Sequence, residues 1–374
     1  MNDDKILEKQ LIEIITNKEY APNIILAKVE MLFSLGVDIN TKHKGNTILI
    51  YAKENNLPNV AEFMEKHGAI EERITQKEIQ KLTDDLVSLI DNNTSNSKEI
   101  KDLIDQGADV NIEGGYSAKY GDTLYELPLF AATRRGRLDI VELLLENNAN
   151  INQTDNHSSK YTIMHQACYW GKKDIVEFLV EKGFDVNKTD TYLQTPILLA
   201  TRTHHHDIVK YLTSKGANIN HSGKHGYCVL EEICSSSSPN LELTKFLIDN
   251  GLNINIKYHE NELTPLLHAY HNGYRDLAKL LIDNGADVNQ SDINGTTPLM
   301  LVAEKDYLDH ISILIDNGAN PSAKNKEGKT AVQIAEENKN YRAKYKIIEK
   351  TKEKKQKEAA SFFSRIKKGL FFEK

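Results

Sequence analysis

The sequence predicts an all-α solenoid of stacked helix-turn-helix units, and three observations support this fold class. The stretch from Asn261 to Asn289 combines two short amphipathic helices, a turn between them and a polar loop after them. Weaker copies of this stretch fill most of the 374 residues. From Gly183 to Gly318, helix-ending glycines are 33, 35, 34 and 33 residues apart, which is a period of helical repeats. Helices this short are marginal alone in water, so each must bury its apolar side on a neighbour.

The stretch from Asn261 to Asn289 carries start and stop signals for both of its helices. Thr264 can accept a backbone N–H, and Pro265 suits a first helical position because its missing N–H has no partner there anyway. Gly273 ends the first helix, and a second is predicted from about Asp276. Gly285 stands where the backbone must turn left-handed after that second helix.

A residue that tolerates a left-handed backbone ends the second helix of nearly every copy. Between Gly107 and Gly183 this residue is Asn148, which fits because asparagine shares that tolerance. The loops that follow read Val-Asp-Ile-Asn, Ala-Asp-Val-Asn or similar. The full set of helix-ending glycines is Gly36, Gly68, Gly107, Gly183, Gly216, Gly251, Gly285 and Gly318.

Several copies also open with a Thr-Pro-Leu-like signature. TPILLATRTHHHDIVKYLTSKGANIN begins at Thr195, and NGTTPLMLVAEKDYLDHISILIDNGANPS begins at Asn294. In these motifs the chain resembles ankyrin-repeat proteins over roughly residues 24–340, most strongly over 107–320. The resemblance implies an all-α ankyrin-repeat solenoid of about nine to ten repeats with β-turn loops and helical caps at both ends. It also implies a protein–protein interaction scaffold.

The histidine of the family's signature is present at His165 but is replaced in other repeats. In the family this histidine forms a polar link between repeats. The resemblance therefore implies that the repeats without it depend on apolar stacking. The replacements are Phe130, Leu198, Glu231, Leu267, Met300 and Gln333.

We divide the chain into four segments. Residues 1–23 are predicted to form an amphipathic capping helix, with Ile6, Leu7, Leu11, Ile14 and Ile15 on its apolar side. Residues 24–106 hold degenerate repeats, 107–341 regular repeats, and 342–374 a basic tail.

An insertion at Gly114–Tyr125 lengthens one repeat. Such insertions fall in the β-turn loops and usually lie on the binding face. We leave two interpretations open for it, a harmless excursion and a contact loop.

The tail carries 12 Lys/Arg and 4 Asp/Glu, a local charge of +8, which leaves −15 on residues 1–341 out of a total of −7. It is predicted to be helical to about Lys357. Its end carries an apolar cluster of Phe362, Phe363, Ile366, Leu370 and Phe371. Two interpretations remain open. The tail is a cap whose aromatic side chains pack on the last repeat, or residues 358–374 bind a membrane surface, bind a partner or act as a sorting signal.

The composition favours an intracellular protein, and because repeats occupy almost every long segment and leave no space for a separate enzyme domain, we expect that it is not an enzyme. Three cysteines make no disulfide framework, and the N-terminus has no apolar run suited to export. The protein is therefore expected in the cytoplasm, or in a host cell after secretion without a cleavable signal. Acidic repeats argue against nucleic acid as a partner.

No motif predicts catalysis, a metal or a cofactor. The run His204–His206 falls in an inter-helix turn, where a solvated turn is the expected structure. Cys168 stands at a small core position three residues after His165, so we do not interpret the two residues as a catalytic dyad. We expect no catalytic residues, no metal ligands and no cofactor.

The resemblance places the binding surface on one concave face, lined by loop tips and by the two residues that precede each inter-helix glycine. Tryptophan, tyrosine and arginine are the residues most enriched in interface hot spots. The predicted partner-binding residues are Arg134, Arg135, Tyr161, Tyr169, Trp170, Tyr192, Arg202, Tyr227, His271 and Asn272. The alternative for Trp170 is that its ring packs inward on the next repeat.

The leading interpretation is a monomer that binds one other protein through this face. Usage rich in Asn, Lys and Ile resembles bacterial ankyrin-repeat effectors delivered into host cells. The alternatives are a regulator or immunity protein that inhibits a cognate protein, and a membrane-associated adaptor that uses the basic tail.

Overall fold

The computed structural model describes residues 2–92, 95–117, 123–257 and 261–370, and side chains for most of these up to Ser361. Within those residues the chain forms twenty α-helices and two sheets of two strands each. The all-α fold class is therefore confirmed. The chain divides into two compact units, residues 1–167 and 168–374.

The first unit consists of helix pairs with two small antiparallel hairpins between them. The first helices of successive pairs pack on each other, as α1 does on α3 and α5 on α7, and the second helices pack likewise. Its elements are α1 (Asn2–Thr16), α2 (Pro22–Ser34), β1 (Lys42–His43), β2 (Asn46–Thr47), α3 (Ile48–Glu54), α4 (Pro58–Lys66), α5 (Gln76–Asp91), α6 (Ser97–Gln106), β3 (Gly114–Ser117), β4 (Thr123–Glu126), α7 (Pro128–Arg135) and α8 (Leu138–Glu146). Helix α9 (Ile163–Tyr169) begins in this unit.

Helix α1 is the first member of a helix pair, since it packs on α2 and on α3. Leu11 and Ile15 are fully buried in a core shared with Val29 and Leu49. Ile6 was predicted to lie on the apolar side of this helix, but it is 52% exposed. The burial of α1 is therefore concentrated in its second half.

The second unit contains two series of stacked helices. In one series each helix packs on the next in the order α11, α13, α15, α17 and α19. In the other series the order is α10, α12, α14, α16, α18 and α20. Their bounds are α10 (Lys173–Glu181), α11 (Pro196–Arg202), α12 (His206–Ser214), α13 (Val229–Ser235), α14 (Leu241–Asp249), α15 (Pro265–His271), α16 (Arg275–Asp283), α17 (Pro298–Glu304), α18 (Leu308–Asp316), α19 (Ala331–Glu337) and α20 (Tyr341–Leu370).

The predicted helix signals are confirmed at α15 and α16. The Thr264 hydroxyl accepts from the backbone N–H of Leu267 at 3.3 Å, and Pro265 is the first helical residue. Gly285 has φ +91°, and Asn148, the substitute for glycine, has φ +66°. Both residues adopt the left-handed conformation that ends a helix.

In several regular repeats, an asparagine four residues after the helix-ending glycine joins the repeat to the next one. Asn220 donates its amide to the Gly251 carbonyl at 2.9 Å and accepts from the Asn253 N–H at 2.8 Å. Asn289 does the same toward Gly318 and Asn320. These repeats therefore have a polar link in addition to the expected apolar stacking, because one side-chain amide satisfies both a donor and an acceptor of the next repeat.

Candidate protein-binding surface

The end of α9 carries two adjacent aromatic side chains on the surface of the second unit. The rings of Tyr169 and Trp170 meet edge to face with centroids 5.3 Å apart. Tyr169 is 38% exposed and Trp170 43% exposed. His205 supports this position from the following repeat, since its Nε2 lies 3.2 Å from the Tyr169 carbonyl oxygen and its ring packs against Gly171. The two rings thus present apolar area on a backbone that a neighbouring repeat holds in place.

The next repeat places a tyrosine and an arginine on the surface. Tyr192 is 41% exposed, and the Lys224 ammonium lies 5.3 Å from its ring centroid. The Arg202 guanidinium lies 3.2 Å from the Glu232 carboxylate and also donates to the Gln194 side chain. Burial raises the pKa of Glu232, and Arg202 partly offsets this effect. Arg202 is therefore oriented by its own repeat and by the next one.

The remaining predicted residues of the second unit are all exposed. Tyr227 is 44% exposed. His271 and Asn272 are both exposed, but Asn272 donates to the Cys234 carbonyl at 3.1 Å. The Asn272 amide therefore links two repeats.

The three predicted residues of the first unit are more engaged in intramolecular contacts. The Arg134 side chain is 16% exposed and contacts the carboxylates of Asp91 at 2.7 Å and Glu126 at 2.8 Å. Arg135 contacts Asp91 at 2.6 Å and is 35% exposed. Hydrogen bonds from both arginines outweigh burial and lower the pKa of Asp91. Tyr161 is half-buried and stacks on His165.

The prediction of a solvated histidine turn is wrong for two of its three residues. His205 is half-buried against Gly171, and His206 Nδ1 lies 2.9 Å from the Asn240 side-chain amide. Burial lowers the pKa of His206, and His204 adds to this effect. These side chains connect neighbouring repeats, a role that a turn motif in the sequence does not reveal.

Groups of three or more His, Cys, Asp or Glu side chains placed to hold a metal ion are absent from the described residues. Cys168 is fully buried, and this burial raises the pKa of its thiol far above the ordinary value. A thiol that stays protonated is a poor nucleophile. The buried side chain of Cys168 occupies the core position that the sequence predicts for it. In the part of the chain that is described, no helix has both the length and the apolar character needed to cross a membrane.

The chain is similar to known proteins in family, sequence and structure. A family model described as "Ankyrin repeats (3 copies)" matches residues 89–190, 129–223, 189–258, 223–292 and 266–357. An ankyrin repeat and KH domain-containing protein of Caenorhabditis briggsae is 28% identical over 173 residues, which is 44% of this chain and 7% of that protein. The chain thus matches only a small part of that relative's length.

Two solved structures have a similar fold. One is the ankyrin repeat domain of Bcl-3, described as a unique member of the IkappaB protein family. The match has a TM-score of 0.50 and 22% sequence identity, and it covers 56% of this chain and 94% of the Bcl-3 chain. The other is the human ASB11 ankyrin repeat domain, with a TM-score of 0.47 and 27% identity, covering 56% and 92%.

Proposed function

The chain belongs to the ankyrin-repeat family, whose domains are generally protein–protein interaction modules and typically non-catalytic, and we propose that it binds another protein through its second unit. The proposed surface, called the aromatic surface, consists of Tyr169, Trp170, Tyr192 and Arg202. The observation that carries the proposal is the exposed, edge-to-face pair of Tyr169 and Trp170.

This pair has the properties of an interface anchor. Aromatic side chains bury a large area with few rotatable bonds, and each of these two also carries a polar group. The backbone beneath them is fixed by His205, so little conformational freedom is lost when a partner binds. Arg202, oriented by Glu232 and Gln194, adds a charge-assisted donor at the next repeat.

The substitution Trp170→Ala tests the proposal. Affinity for the partner recovered with the intact chain should fall by about 2 kcal/mol, measured by calorimetry, while the melting temperature changes little. Tyr345→Ala is the matched control, because Tyr345 is 66% exposed on α20 and should leave affinity unchanged. A steep loss of melting temperature with unchanged affinity per folded molecule would instead assign Trp170 to the core.

The identity of that partner separates the finer functions. Affinity purification with the intact chain and with Trp170→Ala, compared by mass spectrometry, should recover one protein with the first bait only. A host protein favours an effector role, and a toxin or enzyme of the same cell favours an immunity or regulatory role.

A second candidate function rests on α20, which continues beyond the repeats. Ala343 and Ile347 are buried where this helix packs on α18 and α19, and the Lys354 ammonium donates to the Ile315 carbonyl at 2.8 Å. The stretch 355–361 is exposed on every side. A basic helix exposed in this way favours an anionic membrane surface as its partner.

The side chains of 362–374, which include most of the predicted membrane segment 358–374, lie outside the described residues. Co-sedimentation with phosphatidylserine vesicles at low salt should be lost when 358–374 are deleted. Absence of vesicle binding by the intact chain would remove this second candidate.

A further inference from the structure

The insertion before α7 forms a strand pair with one open edge. β3 and β4 pair antiparallel, with Gly115 opposite Tyr125 and Tyr116 opposite Leu124. β3 lies against α5 so closely that a Cβ on Gly114 would stand 2.4 Å from the Thr83 carbonyl oxygen. Because β3 has α5 on one side and β4 on the other, the free edge of the hairpin belongs to β4.

The direction of the backbone groups along β4 follows from the contacts of β3. The Gly115 N–H donates to Asp84 at 2.7 Å, and the Gly115 carbonyl accepts from the Ser88 hydroxyl at 3.3 Å. Both groups of Gly115 therefore point toward α5, which makes Gly115 and Tyr125 a non-hydrogen-bonded pair. By this alternation, the N–H and C=O of Tyr125 point away from β3, to the open edge.

A groove of about 760 Å³ lies along this edge. Tyr125 and Leu127 line one side, and Gln153, Thr154 and Asn156 of the next repeat's loop line another. Among the described residues, none donates to or accepts from the outward backbone groups of Tyr125. The β3–β4 hairpin and the loop of the next repeat thus both line this groove.

We propose that this groove, with the open edge of β4, binds an extended peptide segment of a partner protein as an added β-strand. Unpaired N–H and C=O groups on a strand edge select a strand backbone. Four residues of β4 span about 13 Å at the rise of a strand, and the groove volume lies in the usual range of roughly 300–1,000 Å³ for ligand sites.

The lining also indicates which peptide chemistry fits. Asn152 and Asn156 line the groove with side-chain amides that can bond both donors and acceptors of a peptide backbone, while Asn150 Oδ1 and Gln153 Nε2 already bond within the chain. Glu113 is the one carboxylate in the lining, and the chain carries a net charge of −7. The partner segment is therefore an extended peptide without acidic residues, held mainly through its main chain. This site lies in the first unit and does not depend on the aromatic surface.

The test uses the intact chain and a library of capped hexapeptides that lack Asp and Glu. The tightest peptide is resynthesised with a single N-methyl group at each position in turn. Strand addition predicts at least a tenfold loss of affinity at alternate positions only, because alternate N–H groups of the peptide face β4. A uniform loss, or no selected peptide at all, overturns the proposal.

Two pairs of variants locate the bound peptide. Tyr125→Pro removes the outward N–H while the hairpin bonds of Leu124 and Glu126 remain, and it should abolish binding, whereas Tyr125→Thr keeps the N–H and should retain it. Asn156→Trp fills the groove and should lower affinity at least tenfold, whereas Glu142→Trp, at an exposed residue of α8 outside the lining, should not. Far-UV circular dichroism checks folding of all four variants. Equal losses in Tyr125→Pro and Tyr125→Thr would show a side-chain contact only and overturn strand addition.

Discussion

The repeat at residues 264–289 and the segment at residues 76–146 place their charged side chains in different surroundings. The first has a capped helix, a left-handed glycine and an asparagine bridge, and its Lys279–Asp283 ion pair is about half exposed. The second contains the inserted hairpin, and its Arg134 is enclosed by Tyr116, Glu126 and Asp91. The comparison teaches that an insertion can convert a position that faces solvent in a regular repeat into a buried, charged one.

The largest effect that tests this comparison is expected from Arg134→Met. Removing the guanidinium leaves the poorly exposed Glu126 carboxylate without its cationic partner and Asp91 with Arg135 alone, so the free energy of unfolding should fall by about 3–5 kcal/mol. Lys279→Met removes an exposed partner and should change it by about 0.5 kcal/mol or less. Urea unfolding followed by circular dichroism measures both. Similar losses for the two variants would contradict the contrast between the two regions.

An intermediate effect is expected at the glycines of the two regions. A Cβ at Gly114 would meet the Thr83 backbone oxygen at 2.4 Å, so Gly114→Ala should destabilise by about 2–3 kcal/mol. Gly285 has open space around it but φ +91°, so Gly285→Ala should cost about 1 kcal/mol from the backbone conformation alone. Gly285→Asn should recover part of that loss, as Asn148 does naturally. If Gly114→Ala is neutral in thermal unfolding, the close approach of β3 to α5 is not rigid.

The smallest effect is a difference in pH dependence. His310 is 7% exposed and lies 3.0 Å from the Tyr270 hydroxyl, and burial, aided by Arg275, lowers its pKa below 6.5. Well above pH 6.5 this histidine is neutral in both the folded and the unfolded state. As the pH falls below 6.5, the unfolded chain binds a proton at this histidine at a higher pH than the folded chain does. The free energy of unfolding therefore decreases as the pH falls. Asp91, whose pKa is lowered from 3.8, supports the other region until the pH falls below about that value.

His310→Gln should therefore flatten the loss of stability between pH 7 and pH 5, measured by urea unfolding at each pH. His271→Gln, at an exposed histidine, serves as the control and should leave the slope as it is. An unchanged slope in His310→Gln would mean that this buried histidine does not couple folding to protons.

Part of the candidate site could be predicted from the sequence, because position in the repeat correlates with exposure. Tyr169, Trp170 and Tyr192 occupy predicted surface positions and are exposed. The partners that orient them could not be predicted. His205 lies 36 residues from Tyr169 and Glu232 lies 30 residues from Arg202, so only stacking of repeats brings them together. The partner-binding role of these residues stays a prediction.

The inserted segment was the least predictable region. Its glycines and polar residues indicated a loop tip, and two interpretations stayed open. The structure pairs Gly114–Ser117 with Thr123–Glu126 and packs this hairpin on α5. A short strand pair depends on what covers one face of it, which local sequence does not specify.

The sequence by itself determined the repeat unit, the helix boundaries at residues 264–289 and the all-α class, whereas the tail helix, predicted to about Lys357, continues to Leu370. These follow from local rules, in which capping residues, helical spacing and left-handed glycines act within a few residues. Only the tertiary structure decided that Arg134 is buried, that asparagine amides bridge the repeats and that the edge of β4 is open beside a groove. Each of these features depends on which side chains, distant in sequence, become neighbours in the folded protein. The repeat period specifies how far apart equivalent residues lie in the sequence, but it does not specify which side chains contact them.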